Sequence, residues 1–214
     1  IAKYLGIKVV LVNYRLAPEY PLPIAIYDGY DATKYIATHA EQFQIDTSKI
    51  FIIGLSSGAN CAAVVANLAR SDHQFSIHHQ ILLNGVFDFS QSSHGYDEYE
   101  AEDKLCSREV HTFIINQYGF NPADYKNPLF SPFFETDLKN LPPTTFIVAE
   151  YDGIRNDSES YYKKIKEAQN KVEKILLSGQ THNTIILRES MSDGEDPAKV
   201  IADVVMRETH NEYL

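Results

Sequence analysis

Phe51-Ile52-Ile53-Gly54-Leu55-Ser56-Ser57-Gly58-Ala59-Asn60 is the stretch on which the reading of this chain turns. An apolar, β-branched run enters it, and an Ala/Val-rich segment, Ala62-Ala63-Val64-Val65-Ala66, leaves it. The pattern predicts a strand over 50–53, a tight turn at Ser56 and a helix running to about residue 70. Between a strand and a helix, Gly54-x-Ser56-x-Gly58 acquires a chemical meaning. A serine on a sharp strand-to-helix turn is held in a strained backbone position with its hydroxyl exposed. Small residues two before and two after it spare the neighbouring backbone a Cβ clash. The N–H of Ser57, at the helix start, then points to where an oxyanion would form. Outside such a context the same letters are an ordinary Gly/Ser-rich turn.

Outward from this stretch, strands alternate with helices. Apolar runs predict strands over 7–13, 50–53, 81–83, 144–149 and 172–177, five in all. Helical spacing predicts helices over 24–43, 56–70, 110–119, 157–170 and 197–210. Pro18, Pro21 and Pro23 forbid a helix between the first strand and the first helix. The alternation implies an α/β fold, a mostly parallel sheet with helices on both faces and right-handed crossovers, within one domain over 1–214. Residues 88–140 break the rhythm and read as a lid-like insertion over one edge of the sheet. Its acids Asp97, Glu98, Glu100, Glu102 and Asp103 read as a solvated loop face.

Composition bounds the function. The chain has 214 residues, 44% of them hydrophobic and 22% charged, ordinary for a soluble globular domain. A net charge of −10 argues against nucleic acid and anionic membrane surfaces as partners. No apolar run reaches the ~18 residues of a membrane span, and no signal peptide is visible. Cys61 and Cys106 form neither a disulfide framework nor a metal-ligand spacing. Cys61 reads as a packed thiol, and the pair fits a reducing cytoplasm. Asn156-Asp157-Ser158 matches the N-glycosylation pattern, which carries little weight without a secretion signal.

The serine needs a base and an acid. In an open α/β sheet, functional groups gather beyond the carboxyl ends of the strands. His39, His73, His78, His79, His94, His111 and His210 fall on helices or polar surfaces and read as packing or surface residues. His182 differs, because it follows the last strand on a loop that should return over the sheet. Asp152 directly follows the 144–149 strand. Asp88, just past the 81–83 strand, is a rival acid, whereas Glu150 should point to the opposite side of its strand. A serine is a poor nucleophile unless a base takes its proton. His182 can accept that proton and pass it to a leaving alcohol. Asp152 would hold the imidazole tautomer and stabilise the imidazolium.

These residues resemble a known family. Tyr14-Arg15-Leu16-Ala17-Pro18-Glu19 with its Pro-rich turn, and Gly54-Leu55-Ser56-Ser57-Gly58-Ala59-Asn60, are similar to the segments around the nucleophile of hormone-sensitive-lipase-like esterases of the α/β-hydrolase fold. Leu141-Pro142-Pro143, then Glu150-Tyr151-Asp152-Gly153-Ile154-Arg155, resembles their acid region, and Gly179-x-x-His182 their histidine loop. The resemblance runs from Val9 to beyond His182. It implies a carboxylic-ester hydrolase of short to medium acyl esters with Ser56, Asp152 and His182 as triad, and neither metal nor organic cofactor. The partner implied is a small-molecule ester, and a homodimer is compatible. A small-molecule binding protein on the same scaffold and an amidase or formamidase are the alternatives. Leu55, Ser57, Ala59 and Asn183 depart from the family pattern. The family's His-Gly-Gly-Gly oxyanion segment has no counterpart, since no Gly-Gly pair occurs anywhere. This favours a carboxyl-terminal part of a longer protein, and the chain alone is then expected to be a poor catalyst. Chain-length preference would be set by 88–140 and by upstream residues.

Overall fold

The computed structural model describes residues 1–92, 103, 106–119, 121–185 and 195–210. Among the described residues, four strands form one parallel sheet in the order β1-β2-β3-β4: Phe51–Leu55, His79–Leu83, Thr144–Ala149 and Val172–Leu177. Ile53 stands opposite Ile81, Ile81 opposite Thr145, and Ile147 opposite Ile175. The helices are α1 (Ala2–Leu5), α2 (Ile24–Thr38), α3 (Ala40–Phe43), α4 (Ser57–Asp72), α5 (Arg108–Gln117), α6 (Arg155–Glu167) and α7 (Pro197–His210).

Strand alternation decides which helix covers which face. Leu82 of β2 with Phe146 and Val148 of β3 meet Ala59, Ala62 and Ala63 of α4 and Tyr161 and Ile165 of α6. Ile81 and Leu83, one residue out of phase, turn to the other face with Ile147 and Leu177, where Val200, Ile201, Val204 and Val205 of α7 cover them. Each buried aliphatic side chain contributes about 1.5–3 kcal/mol, so these two clusters supply most of the driving force. The alanines of α4 let that helix lie close to the sheet, and this sets the approach of the serine turn.

The structure corrects the strand count. Residues 7–13 form no ladder, and Val10 and Leu11 are 58% and 90% exposed. A β-branched run is a strand only when a neighbour pairs with it. Among the described residues the outer edge of β1 has no partner. The single helix expected over 24–43 is two, α2 and α3, separated at His39. The arginine of the Tyr14–Glu19 segment grips α2, with Arg15 Nη2 donating to Asp28 Oδ1 at 2.6 Å and Nε to Oδ2 at 3.0 Å.

The described part of 88–140 packs on the sheet end rather than standing off it. Ile115 of α5 and Phe130 join Val86, Phe89 and Ile154 in one buried cluster. Asp97, Glu98, Glu100 and Glu102 lie outside the described residues, as does His94. Asp103 does not belong to a solvated face; it is buried. The glycosylation pattern is folded shut, because Asp157 and Ser158 are buried and Ser158 Oγ donates to the Gly85 carbonyl at 3.0 Å.

Candidate active site

Ser56 sits between β1 and α4 with φ 55° and ψ −120°. That conformation costs a non-glycine residue about 1–3 kcal/mol and persists only where its surroundings impose it. Here Ser56 N donates to the Leu83 carbonyl at 2.9 Å, fastening the turn to β2, while Asn60 N donates to the Ser56 carbonyl and starts α4. The two glycines of the motif are not equivalent. A Cβ on Gly54 would lie 2.1 Å from the Gly58 carbonyl oxygen, so only glycine fits. A Cβ on Gly58 would meet nothing closer than the Tyr14 hydroxyl at 4.0 Å.

The last residues of the strands bring the other groups to the same place. Asp152 follows β3, and His182 opens a 3₁₀ turn, His182–Ile185, after β4. His182 Nε2 lies 3.0 Å from Ser56 Oγ, and His182 Nδ1 lies 2.9 Å from Asp152 Oδ2. Asp152 is fully buried, and its Oδ1 accepts the Ile154 N–H at 2.9 Å. The main-chain bond from Tyr151 N to the Gln180 carbonyl, 2.8 Å, ties the acid loop to the histidine loop. Burial by itself lowers the His182 pKa. The hydrogen bond and charge of Asp152, with the charge of Asp103, outweigh it and leave the imidazole above its ordinary value.

The rival carboxylates are engaged elsewhere. Asp88 accepts from Ser90 N and Oγ at 2.8 and 2.5 Å, and from both donors of Ser92, closing a turn. Glu150 Oε2 accepts the Gly179 N–H at 2.7 Å. His79 bonds Thr145 inside the sheet, and burial holds His79 and His111 down at about 4. Asn84 is a residue that sequence reading passed over. Its Nδ2 donates to the His182 carbonyl at 3.3 Å and its Oδ1 accepts the Ala149 N–H at 2.9 Å. The signal was Asn84-Gly85 straight after an apolar strand, an amide where a buried loop has backbone groups to satisfy.

Ser57 opens α4, so its N–H has no intrahelical partner. The Tyr14 and Tyr118 side chains lie beside its hydroxyl. Beside it lies a cavity of about 160 Å³ lined by Tyr14, Tyr20, Leu22, Phe89 and Tyr118. Among the described residues one cluster has metal-ligand types, Cys106 with Asp152 and His182 within 4.8 Å. Burial raises the Cys106 thiol, so the thiolate a metal needs is disfavoured. The facing atoms of Asp152 and His182 are bonded to each other. Cys106 is a packing neighbour of the pair.

A strained serine at a strand–helix turn, with a histidine and an aspartate at the ends of later parallel strands, defines an α/β-hydrolase. A family model described as alpha/beta hydrolase fold matches residues 1–186. The chain belongs to that family, and within it to the hormone-sensitive-lipase-like esterases. It is 32% identical to an arylesterase of Saccharolobus solfataricus over 81% of this chain and 56% of that protein. It is 31% identical to a carboxylic ester hydrolase of Mycobacterium tuberculosis over 85% of this chain and 50% of that protein. A hyperthermophilic esterase from the archaeon Pyrobaculum calidifontis superposes with a TM-score of 0.89 at 29% identity, covering 100% of this chain and 69% of that one. The chain spans little more than half the length of the first curated relatives it matches. No helix among the described residues is long and apolar enough to cross a membrane.

Proposed function

We propose that the protein carrying this chain is a serine carboxylic-ester hydrolase of short to medium acyl esters, with Ser56 as nucleophile, His182 as base and Asp152 as the acid that orients it. The observation that carries the reading is the unbroken line from Ser56 Oγ through both ring nitrogens of His182 to Asp152, at 3.0 and 2.9 Å. Nδ1–H donates to Asp152, which leaves the Nε2 lone pair facing the serine. As Ser56 Oγ bonds to the ester carbon, its proton passes to Nε2. The carbonyl oxygen takes the negative charge, and the Ser57 N–H at the start of α4 stabilises it. Collapse expels the alcohol with the proton from Nε2 and leaves an acyl-Ser56. Water, deprotonated by the same nitrogen, then releases the acid and restores the serine.

The cavity beside Ser57 suits a small acyl or aryl group. Relatives named arylesterase and ethyl acetate hydrolase support an ester over an amide. A non-catalytic binding role needs no strained serine bonded to a base, so the geometry favours the enzyme. The two free cysteines support a reducing, cytoplasmic setting.

A fluorophosphonate probe tests the reading. The full-length protein should label covalently, and Ser56→Ala should abolish the labelling. A full-length protein that takes no label between pH 6 and 9 would remove the enzyme reading.

A further inference from the structure

Asp103 sits in a run of acids that should face solvent, yet it is 4% exposed. Its Oδ2 accepts the main-chain N–H of His182 at 3.0 Å. The carbonyl of the same histidine accepts Asn84 Nδ2 at 3.3 Å. The peptide groups on both sides of the His182 Cα are therefore held, and from different parts of the fold. Asn84 reaches from the end of β2, fixed by its own bonds to Ala149 N and the Ile147 carbonyl. Asp103 reaches from the 88–140 segment.

That segment is itself seated on the acid loop. Cys106 N donates to the Asp103 carbonyl at 3.1 Å. A Cβ on Gly153 would lie 2.3 Å from the Cys106 carbonyl oxygen, so the backbone of the residue after Asp152 is in close contact with that of Cys106. Ser107 then caps α5 through the Val110 N–H.

A carboxylate buried near a second one is an expensive way to satisfy a single N–H. Burial, with the charge of Asp152 behind it, pushes the Asp103 pKa up, and the N–H bonds from His182 and Cys106 oppose that. An asparagine could accept the same hydrogen bond at lower cost.

We propose that Asp103 is a positioning residue of the active site, one that clamps the His182 main chain so that Nε2 stays on Ser56 and Nδ1 on Asp152. The inference rests on the reading of Ser56 as nucleophile. The charge has a second effect. The groups around His182 are Asp152 at Nδ1, Asp103 at the main chain, Cys106 and His111 from the segment beside it, and Ser56 and Asn84 from the strand ends. The Cys106 thiol is pushed up by burial and His111 is pushed down to about 4, so both are neutral near pH 7. The net local charge is the two carboxylates, and both favour the imidazolium.

Asp103→Asn keeps an acceptor for the N–H and removes the charge, whereas Asp103→Ala removes both. In the full-length protein, the pH dependence of kcat/KM for a short p-nitrophenyl ester and the ¹⁵N NMR titration of His182 provide the readouts. With Asp103→Asn, the acid limb and the His182 titration should move down together by about one pH unit. With Asp103→Ala, kcat should also fall, by about 10- to 100-fold, with KM nearly constant, as for a misplaced base. A wild-type kcat in Asp103→Ala would overturn the clamp, even if that variant melts at a lower temperature, and a limb and titration unmoved in Asp103→Asn would remove the effect assigned to the charge. Should Asp103→Ala fail to fold, Asp103→Ser, whose shorter side chain draws the acceptor back from the His182 N–H, decides the clamp by the same kcat readout. Failure of the wild type to take the fluorophosphonate would instead remove the reading of Ser56, and the histidine titration would still report on Asp103.

Discussion

The sharpest consequence of the serine turn concerns its two glycines, which look interchangeable in the sequence and are not. At Gly54 a methyl group would sit 2.1 Å from the Gly58 oxygen, 2.4 Å from its carbonyl carbon and 2.6 Å from Ala59 N. Ordinary contact begins near 3.4 Å, so the start of α4 must retreat from β1 by about 1.3 Å, the difference of 3.4 and 2.1 Å. All three obstacles are backbone, and the helix is pinned to the sheet by Ala59, Ala62 and Ala63. Overpacking against such a rigid neighbour costs about 3 kcal/mol. The retreat would also draw Ser56 Oγ away from His182, where a misplacement of about 1 Å lowers the rate on the order of 100-fold. At Gly58 the added methyl reaches only the Tyr14 hydroxyl at 4.0 Å. The residue is helical, so alanine should stabilise the protein by about 0.5–1 kcal/mol. Urea unfolding followed by far-UV circular dichroism gives both stabilities, and fluorophosphonate labelling gives the reactivity of Ser56. Opposite signs are expected: Gly54→Ala unstable and slow to label, Gly58→Ala more stable. Equal stability for Gly54→Ala and wild type, or a loss of more than about 1 kcal/mol in Gly58→Ala, would refute the geometric argument.

Asp152→Asn should slow ester turnover about 10³- to 10⁴-fold by allowing the wrong imidazole tautomer, while Asp88→Asn should stay within a few-fold of wild type because Asp88 holds Ser90 and Ser92. Steady-state kinetics on the two variants decides the assignment; a larger loss in Asp88→Asn would reverse it. Acid should weaken the fold through His79 and His111, both held at about 4 by burial. Their folded values lie below the ordinary histidine value of about 6.5, so this stability is full above that pH and is lost as pH falls toward 4. The loss is about 2 kcal/mol per histidine at pH 5; raised His182 acts in the opposite sense but at higher pH, its contribution being complete below about 6.5 and lost as pH rises through its raised value. Urea midpoints at pH 7 and pH 5 should therefore differ less for His79→Gln than for wild type, and an equal difference would argue against a neutral buried His79.

Much of the fold was legible because it depends on local pattern. The runs at 144–149 and 172–177 are strands over the expected residues, and Pro197 opens a helix ending at His210. Residues 7–13 carried the same β-branched signal and are not a strand. What makes a strand is a ladder partner, and the run itself carries no information about one. Asp103 was misread for a related reason. In a run of acids composition predicts solvent, but one member is buried because a distant loop presents an N–H that needs an acceptor. Asp88 and Asp152 both follow strands, so the sequence left the acid open between them. The paths of the two loops separate them: Asp88 folds onto its own serines, and Asp152 faces the histidine.

The sequence by itself determined the strand–turn–helix at Ser56, the alternation that gives a parallel sheet, and the order of Ser56, Asp152 and His182 along the chain. These follow from side-chain period, from Gly and Pro placement, and from the rule that loops at the carboxyl ends of parallel strands meet. Only the tertiary structure decided that Gly54 is obligatory and Gly58 is not, that Asp152 rather than Asp88 bonds His182, and that Asn84 and Asp103 bond the His182 main chain from two sides. Each of those facts is a contact between segments far apart in the chain, set by how α4, the ends of β2 and β3, and the 88–140 segment pack around one another.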